Sequence, residues 1–215
     1  MPFTVGEFLG VFKSYNNSVW PSQIILFISA LYIVFLIIKK RKYSDRLITF
    51  ILMFYWLWIG IVYHLYFFTR INPAAYIFGI IFIIQAVLFY TAGIYGKKLI
   101  FEWHSNLNGF IGAFIILYAL IIYPLLGMYF GHVYPENPTF GLPCPTTIFT
   151  LGILIWIKGK IPLYIIVIPL LWSVLGFSAA VNLGIKEDTG LIISGIISAV
   201  VFIKVQLQAR MIKAA

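Results

Sequence analysis

The stretch Ala75–Tyr95, AYIFGIIFIIQAVLFYTAGIY, carries no charged side chain and only one amide, Gln85. Coiled as a helix rising about 1.5 Å per residue, it covers roughly the 30 Å of a bilayer's hydrocarbon core. Working outward, runs of the same kind occupy Gln23–Ile38, Leu47–Phe68, Gly109–Gly127, Leu163–Leu183 and Leu191–Phe202, the last continuing as helix to Arg210. A weaker run, Pro143–Ile157, would reach only about 22 Å, so it is expected to sit in thinned bilayer, to extend beyond the core or to re-enter it. Composition agrees with the segments. The 215 residues are 62% hydrophobic and 10% charged, against roughly 45–50% apolar in a soluble domain. The predicted fold is all-α, a single polytopic transmembrane bundle of seven spans (23–38, 47–68, 75–95, 109–127, 143–157, 163–183 and 191–210), with the lipid bilayer as its main partner.

The net charge of +9 does not describe a nucleic-acid surface, because the basic residues lie in short runs between spans. Lys39, Lys40, Arg41, Lys42, Arg46, Lys97, Lys98, Lys158, Lys160, Lys204, Arg210 and Lys213 fall on one side, and only Lys13, Arg70 and Lys186 on the other. By the positive-inside rule the N-terminus lies outside and the C-terminus inside. Without a fifth crossing, Lys158 and Lys160 would move to the outer side, which the same rule disfavours. The opening MPFTVGEFLGVFK has no basic start and no long apolar core, so the first span is expected to direct insertion. Residues 3–18 alternate Phe3, Phe8, Leu9, Val11 and Phe12 with Thr4, Glu7, Lys13 and Ser14, as in an amphipathic helix on the outer surface that Asn16–Asn17–Ser18 ends. Small residues four apart, Gly109/Ala113 and Ser194/Ser198, would let helices approach closely, within the chain or in a homo-oligomer.

Chemistry-bearing residues are few. No Asp, Glu, Lys or Arg lies near the middle of a clear span, which argues against a carboxylate-driven ion pump. Gln85, Thr146, Thr147, Trp172 and Asn182 are the candidates for a pathway or ligand site, with interhelical hydrogen bonding as the other reading of Gln85. The outer face gathers His64, Arg70, Asn72, His132, Glu136, Cys144, Asn182 and Asp188. Of these, His64, His132, Cys144 and Glu136 have the donor types for zinc or copper, provided that the loop GHVYPENPTFGLPCPTT folds back over the second span. A single cysteine excludes an intramolecular disulfide and any Cys-pair zinc site. No phosphate-binding loop occurs, so an ATP-driven pump is excluded for this polypeptide alone. A zinc hydrolase similar to the seven-span ceramidase relatives is disfavoured, since LIISGIISAVVFIK offers serines where those enzymes carry a His-x-x-x-His pair.

The residues MPFTVGEF, INPAAYIFG, YPLLG and PTFGLPCPTTIFTLG give the chain its family likeness. It resembles a family of small bacterial polytopic membrane proteins of unknown function over nearly its whole length. The resemblance implies a multi-span membrane protein and supplies no activity, substrate or site; the expected location is the bacterial inner membrane. The functional expectation is a channel or facilitator for a small neutral solute or a soft metal ion, with a pathway near spans two, five and six. A membrane enzyme with an outer-face His/Cys site, and a non-catalytic subunit that binds a partner, are the alternatives.

Overall fold

The computed structural model describes residues 2–214 and is all-helical among them. Eight helices follow in order: α1 (Val5–Ser18), α2 (Ser22–Ile38), α3 (Ser44–Arg70), α4 (Ala75–Tyr95), α5 (Leu107–Tyr129), α6 (Pro143–Ile155), α7 (Leu163–Leu183) and α8 (Thr189–Ala214). Five stretches, α3, α4, α5, α7 and Lys186–Gln208, are long and apolar enough to cross a membrane. Ile25, Ile77, Ile80, Phe110, Phe114, Leu171 and Ile196 stand exposed on their outer faces. Water would not tolerate so much contiguous apolar surface, and lipid does. α2 has 17 residues and meets α1 at an 84° bend.

The short helix α6 is enclosed by the rest of the bundle. Every residue of its 13 except Cys144 is buried, because α5, α7 and α8 pack around it and Trp56 of α3 donates to Thr150 Oγ1 at 3.2 Å. A helix wrapped in protein need not match a lipid thickness. Its ends reach both ends of the bundle: Pro143 and Cys144 stand near Tyr63 and Asp188, while Ile157 pairs with Phe101 in the loop that carries Lys97 and Lys98. Close approach to α5 depends on two glycines. A Cβ on Gly152 would stand 2.8 Å from Ile116 Cγ1, and one on Gly112 would stand 2.6 Å from Trp156 Nε1.

The basic loops are laced together at one end. Asp45, in the first turn of α3 where a helix dipole favours an acid, accepts from Phe101 N at 2.8 Å and pairs with Lys40. Glu102 N donates to Trp156 O at 2.7 Å, and its carboxylate holds Lys158 at 2.8 Å. That hydrogen bond from the Lys158 ammonium keeps the exposed Glu102 carboxyl below its ordinary range. The side chains of Arg210 and Lys213, assigned from sequence to this end, lie outside the described residues.

At the opposite end α1 opens on a capping box, Glu7 N donating to Thr4 Oγ1 at 3.2 Å and Thr4 N to Glu7 Oε2 at 2.7 Å. The helix ends at Ser18, and in its last turn Asn16 Nδ2 donates to Pro135 O (2.7 Å) and Asn137 O (2.9 Å). Its apolar face lies on protein: Phe8 packs on Phe68 and Phe12 on Tyr63, capping that end of α3.

Candidate functional site

Beneath α1 lies a cavity of about 230 Å³ whose walls come from α1, α3, α4, α6, α7 and the turn at Asp188. Phe8 and Phe12 of α1 cover it, Tyr63 and His64 of α3 and Trp172 of α7 form its sides, and Cys144 and Asp188 complete it. Local sequence explains each placement. Residues Ile59–Phe67 of α3 form a π-helical segment, the kind of wide turn that recurs at functional sites, and it buries the consecutive residues Tyr63 and His64 together. Pro143 and Pro145 occupy the first turn of α6, where a missing N–H costs nothing, and so fix Cys144 between them. Gly176 leaves the gap in which Trp172 and Cys144 meet: a Cβ there would stand 3.2 Å from Trp172 Nε1 and 3.6 Å from Cys144 Sγ. Gly184, in the left-handed region at φ 75°, ends α7 and turns the chain into Lys186–Asp188.

Several polar groups around the cavity are buried, and some of these lack partners. His64 is 0% exposed, and neither ring nitrogen has a hydrogen-bond partner. Its ring is enclosed by Tyr63, Phe78, Phe82 and Trp172 at centroid distances of 5.1, 5.8, 4.7 and 5.2 Å. Trp172 Nε1 is likewise buried without a partner. Asp188, 5% exposed, accepts a 2.6 Å hydrogen bond from Tyr123 OH and neighbours the Cys144 thiol. Behind it the fully buried Glu187 is held by His132 Nδ1 at 2.8 Å from Oε1, while Tyr118 OH donates to its backbone carbonyl at 2.7 Å. Tyr118 opens a second π-helical segment, Tyr118–Ile122 of α5, just before Tyr123.

The residues singled out from sequence are divided by this geometry. His64, Cys144 and Trp172 meet in the cavity wall. His132 stands behind it on Glu187, and Glu136 points away to an exposed 2.9 Å ion pair with Lys13. The four expected metal ligands therefore do not converge, and among the described residues no three His, Cys, Asp or Glu side chains are grouped to hold a metal ion. Thr146 Oγ1 accepts from Gly141 N at 3.1 Å, and Thr147 Oγ1 is buried without a partner. Asn182 turns outward and bonds its own helix at Ser178 O, 2.6 Å away. Gln85 Nε2 donates to Ile165 O of α7 at 3.0 Å, an interhelical bond outside the cavity lining.

Glu187, Tyr123, Tyr63 and Gly176 were missed. The adjacent acids of LGIKEDTG, at the mouth of an apolar run, were the one available signal. A segment flanking a span reads as loop until its neighbours are known.

No curated protein and no solved structure matches the chain. A family model does match, over residues 5–213, nearly the whole length. The chain therefore belongs to DUF6064, a family of unknown function.

Proposed function

We propose that the protein is a membrane facilitator that admits a small, mainly apolar solute with one polar head into this cavity, from the side opposite the basic loops. That side is the outer one by the positive-inside rule, in the plasma membrane of a bacterium. His64 carries the reading. An imidazole that is wholly buried and bonded at neither nitrogen costs about 1–3 kcal/mol for each unmet group, and it borders a cavity in which a ligand can supply the partner. The cavity is larger than the roughly 150 Å³ that accommodates benzene, so a solute of about one substituted ring fits it. Passage onward calls for repacking of α3, α6 and α7, and the π-helical segment of α3 and Pro169 within α7 supply irregular backbone of the sort that lines membrane pathways. The soft-metal branch of the expectation draws no support from the ligand geometry.

The test is binding of toluene, benzyl alcohol and benzylamine to the purified protein, followed by the fluorescence of Trp172, with Trp172→Phe to identify the signal. Saturable binding is expected for at least one probe. It should disappear in Ala179→Phe, whose ring would occupy the cavity from a half-buried position. No saturable binding by any of the three would refute the proposal.

A further inference from the structure

We infer that the polar head of this solute is an ammonium group: the cavity pairs an aromatic wall with the carboxyl of Asp188, which has no cationic partner of its own. The inference rests on the reading of the cavity as a solute site and specifies the charge of what enters it.

Asp188 is the starting point. A carboxyl taken out of water must keep its proton or find a counter-charge. Among the described residues no Lys, Arg or His nitrogen lies within 4.0 Å of it, and its bonded partner is the neutral hydroxyl of Tyr123 at 2.6 Å. The basic residues of this end are engaged elsewhere. Lys13 pairs with Glu136, the Arg70 guanidinium lies 4.8 Å from the centroid of Tyr66, and the Lys186 ammonium 5.3 Å from that of Phe130. Of the two nearby imidazoles, His132 is taken by Glu187, and His64 bonds at neither nitrogen.

The remaining features suit the same ligand. Tyr63, Phe68, Phe78 and Trp172 line the cavity, and aromatic faces attract an ammonium, the more so out of water. A neutral His64 keeps one ring nitrogen as a lone-pair acceptor, in the wall of the same cavity as Asp188. A carboxylate ligand would meet Asp188 with like charge.

Benzylamine, benzyl alcohol and phenylacetate share one ring size and differ in head-group charge at pH 7, where an alkylammonium is fully protonated. Binding to the wild-type protein is expected to be about tenfold or more tighter for benzylamine than for benzyl alcohol, with phenylacetate weakest. Asp188→Asn should bring benzylamine down to the affinity of benzyl alcohol while the alcohol still binds. Benzyl alcohol or phenylacetate binding the wild type as tightly as benzylamine would overturn the inference and leave the solute site standing. Failure of every probe would instead count against the site itself. The wild-type series decides the matter even where Asp188→Asn does not fold.

Discussion

Replacing Gln85 by leucine tests how α7 tolerates a proline in its interior. Pro169 has no N–H to offer the carbonyl of Ile165, four residues before it. Gln85 Nε2 of α4 donates to that same carbonyl at 3.0 Å, and both residues are fully buried. The amide thus fills a vacancy that proline opens in a neighbouring helix. Gln85→Leu orphans a buried acceptor, a loss of about 1–3 kcal/mol. It also removes Gln85 Oε1, itself buried without a partner, so the net destabilisation falls near the lower half of that range, about 1–2 kcal/mol. Pro169→Ala returns the N–H and lets α7 satisfy Ile165 by itself. In that background Gln85→Leu should cost about 1 kcal/mol less, a coupling of the size that directly interacting residues show. Reversible unfolding of the wild type, both single variants and the double variant in one lipid–detergent mixture measures the cycle. Equal cost of Gln85→Leu in both backgrounds, within about 0.5 kcal/mol, would refute this role and return Gln85 to the list of pathway residues.

Two further outcomes follow from packing and hydrogen bonding. Gly152→Ala should destabilise by about 1 kcal/mol, since overpacking costs roughly 1–3 kcal/mol and the gain in helix propensity returns about 1 kcal/mol. The new Cβ meets Gly112 O at 3.1 Å, backbone that yields only if α5 and α6 separate. Gly10→Ala in α1, with nothing within 4 Å, should leave stability unchanged or raise it, and a like effect of both in thermal unfolding would contradict the packing argument. Asn16→Ala removes the side chain that holds Pro135 O, Asn137 O and Thr139 Oγ1. Amide exchange across residues 133–142 should accelerate markedly, and unchanged protection there would show that the loop is held by other contacts.

Much of the bundle was legible from sequence because lipid imposes one rule on every exposed residue. Uncharged runs marked α3, α4, α5 and α7 to within a few residues, with α3 extending at both ends to Ser44 and Arg70. The surroundings of α6 were not legible. Pro143–Ile157 was measured against a bilayer, whereas the helix within it is packed in protein, and no one-dimensional pattern counts a helix's neighbours. The run of proline, threonine and glycine in PCPTTIFTLG was the visible trace of tight packing. Site residues were legible by type and not by grouping. His64 and Cys144 stood out as metal donors and Trp172 as a pathway residue, and only the register of α3 against α6 and α7 unites them in one wall. The partnership of Gln85 with Ile165 was invisible for the same reason, although Pro169 announced that some carbonyl in α7 would need a donor. Asp188 was noticed as an outer-face acid. What turns it inward is the fold at Gly184 together with Tyr123 from a distant helix, which local sequence does not display.

Cys144 offers the most direct test of the cavity, since it is the one cysteine in the chain and lies in the cavity wall. Right-side-out membrane vesicles carrying the protein can be exposed to methyl methanethiosulfonate, a thiol reagent small enough to enter, and the modified fraction followed by mass spectrometry over time. The expected result is modification from the outer side, slowed strongly by Ala179→Phe and by saturating benzylamine. A thiol that reacts at one rate in the wild type, in Ala179→Phe and in the presence of benzylamine would contradict a solute cavity open to that side.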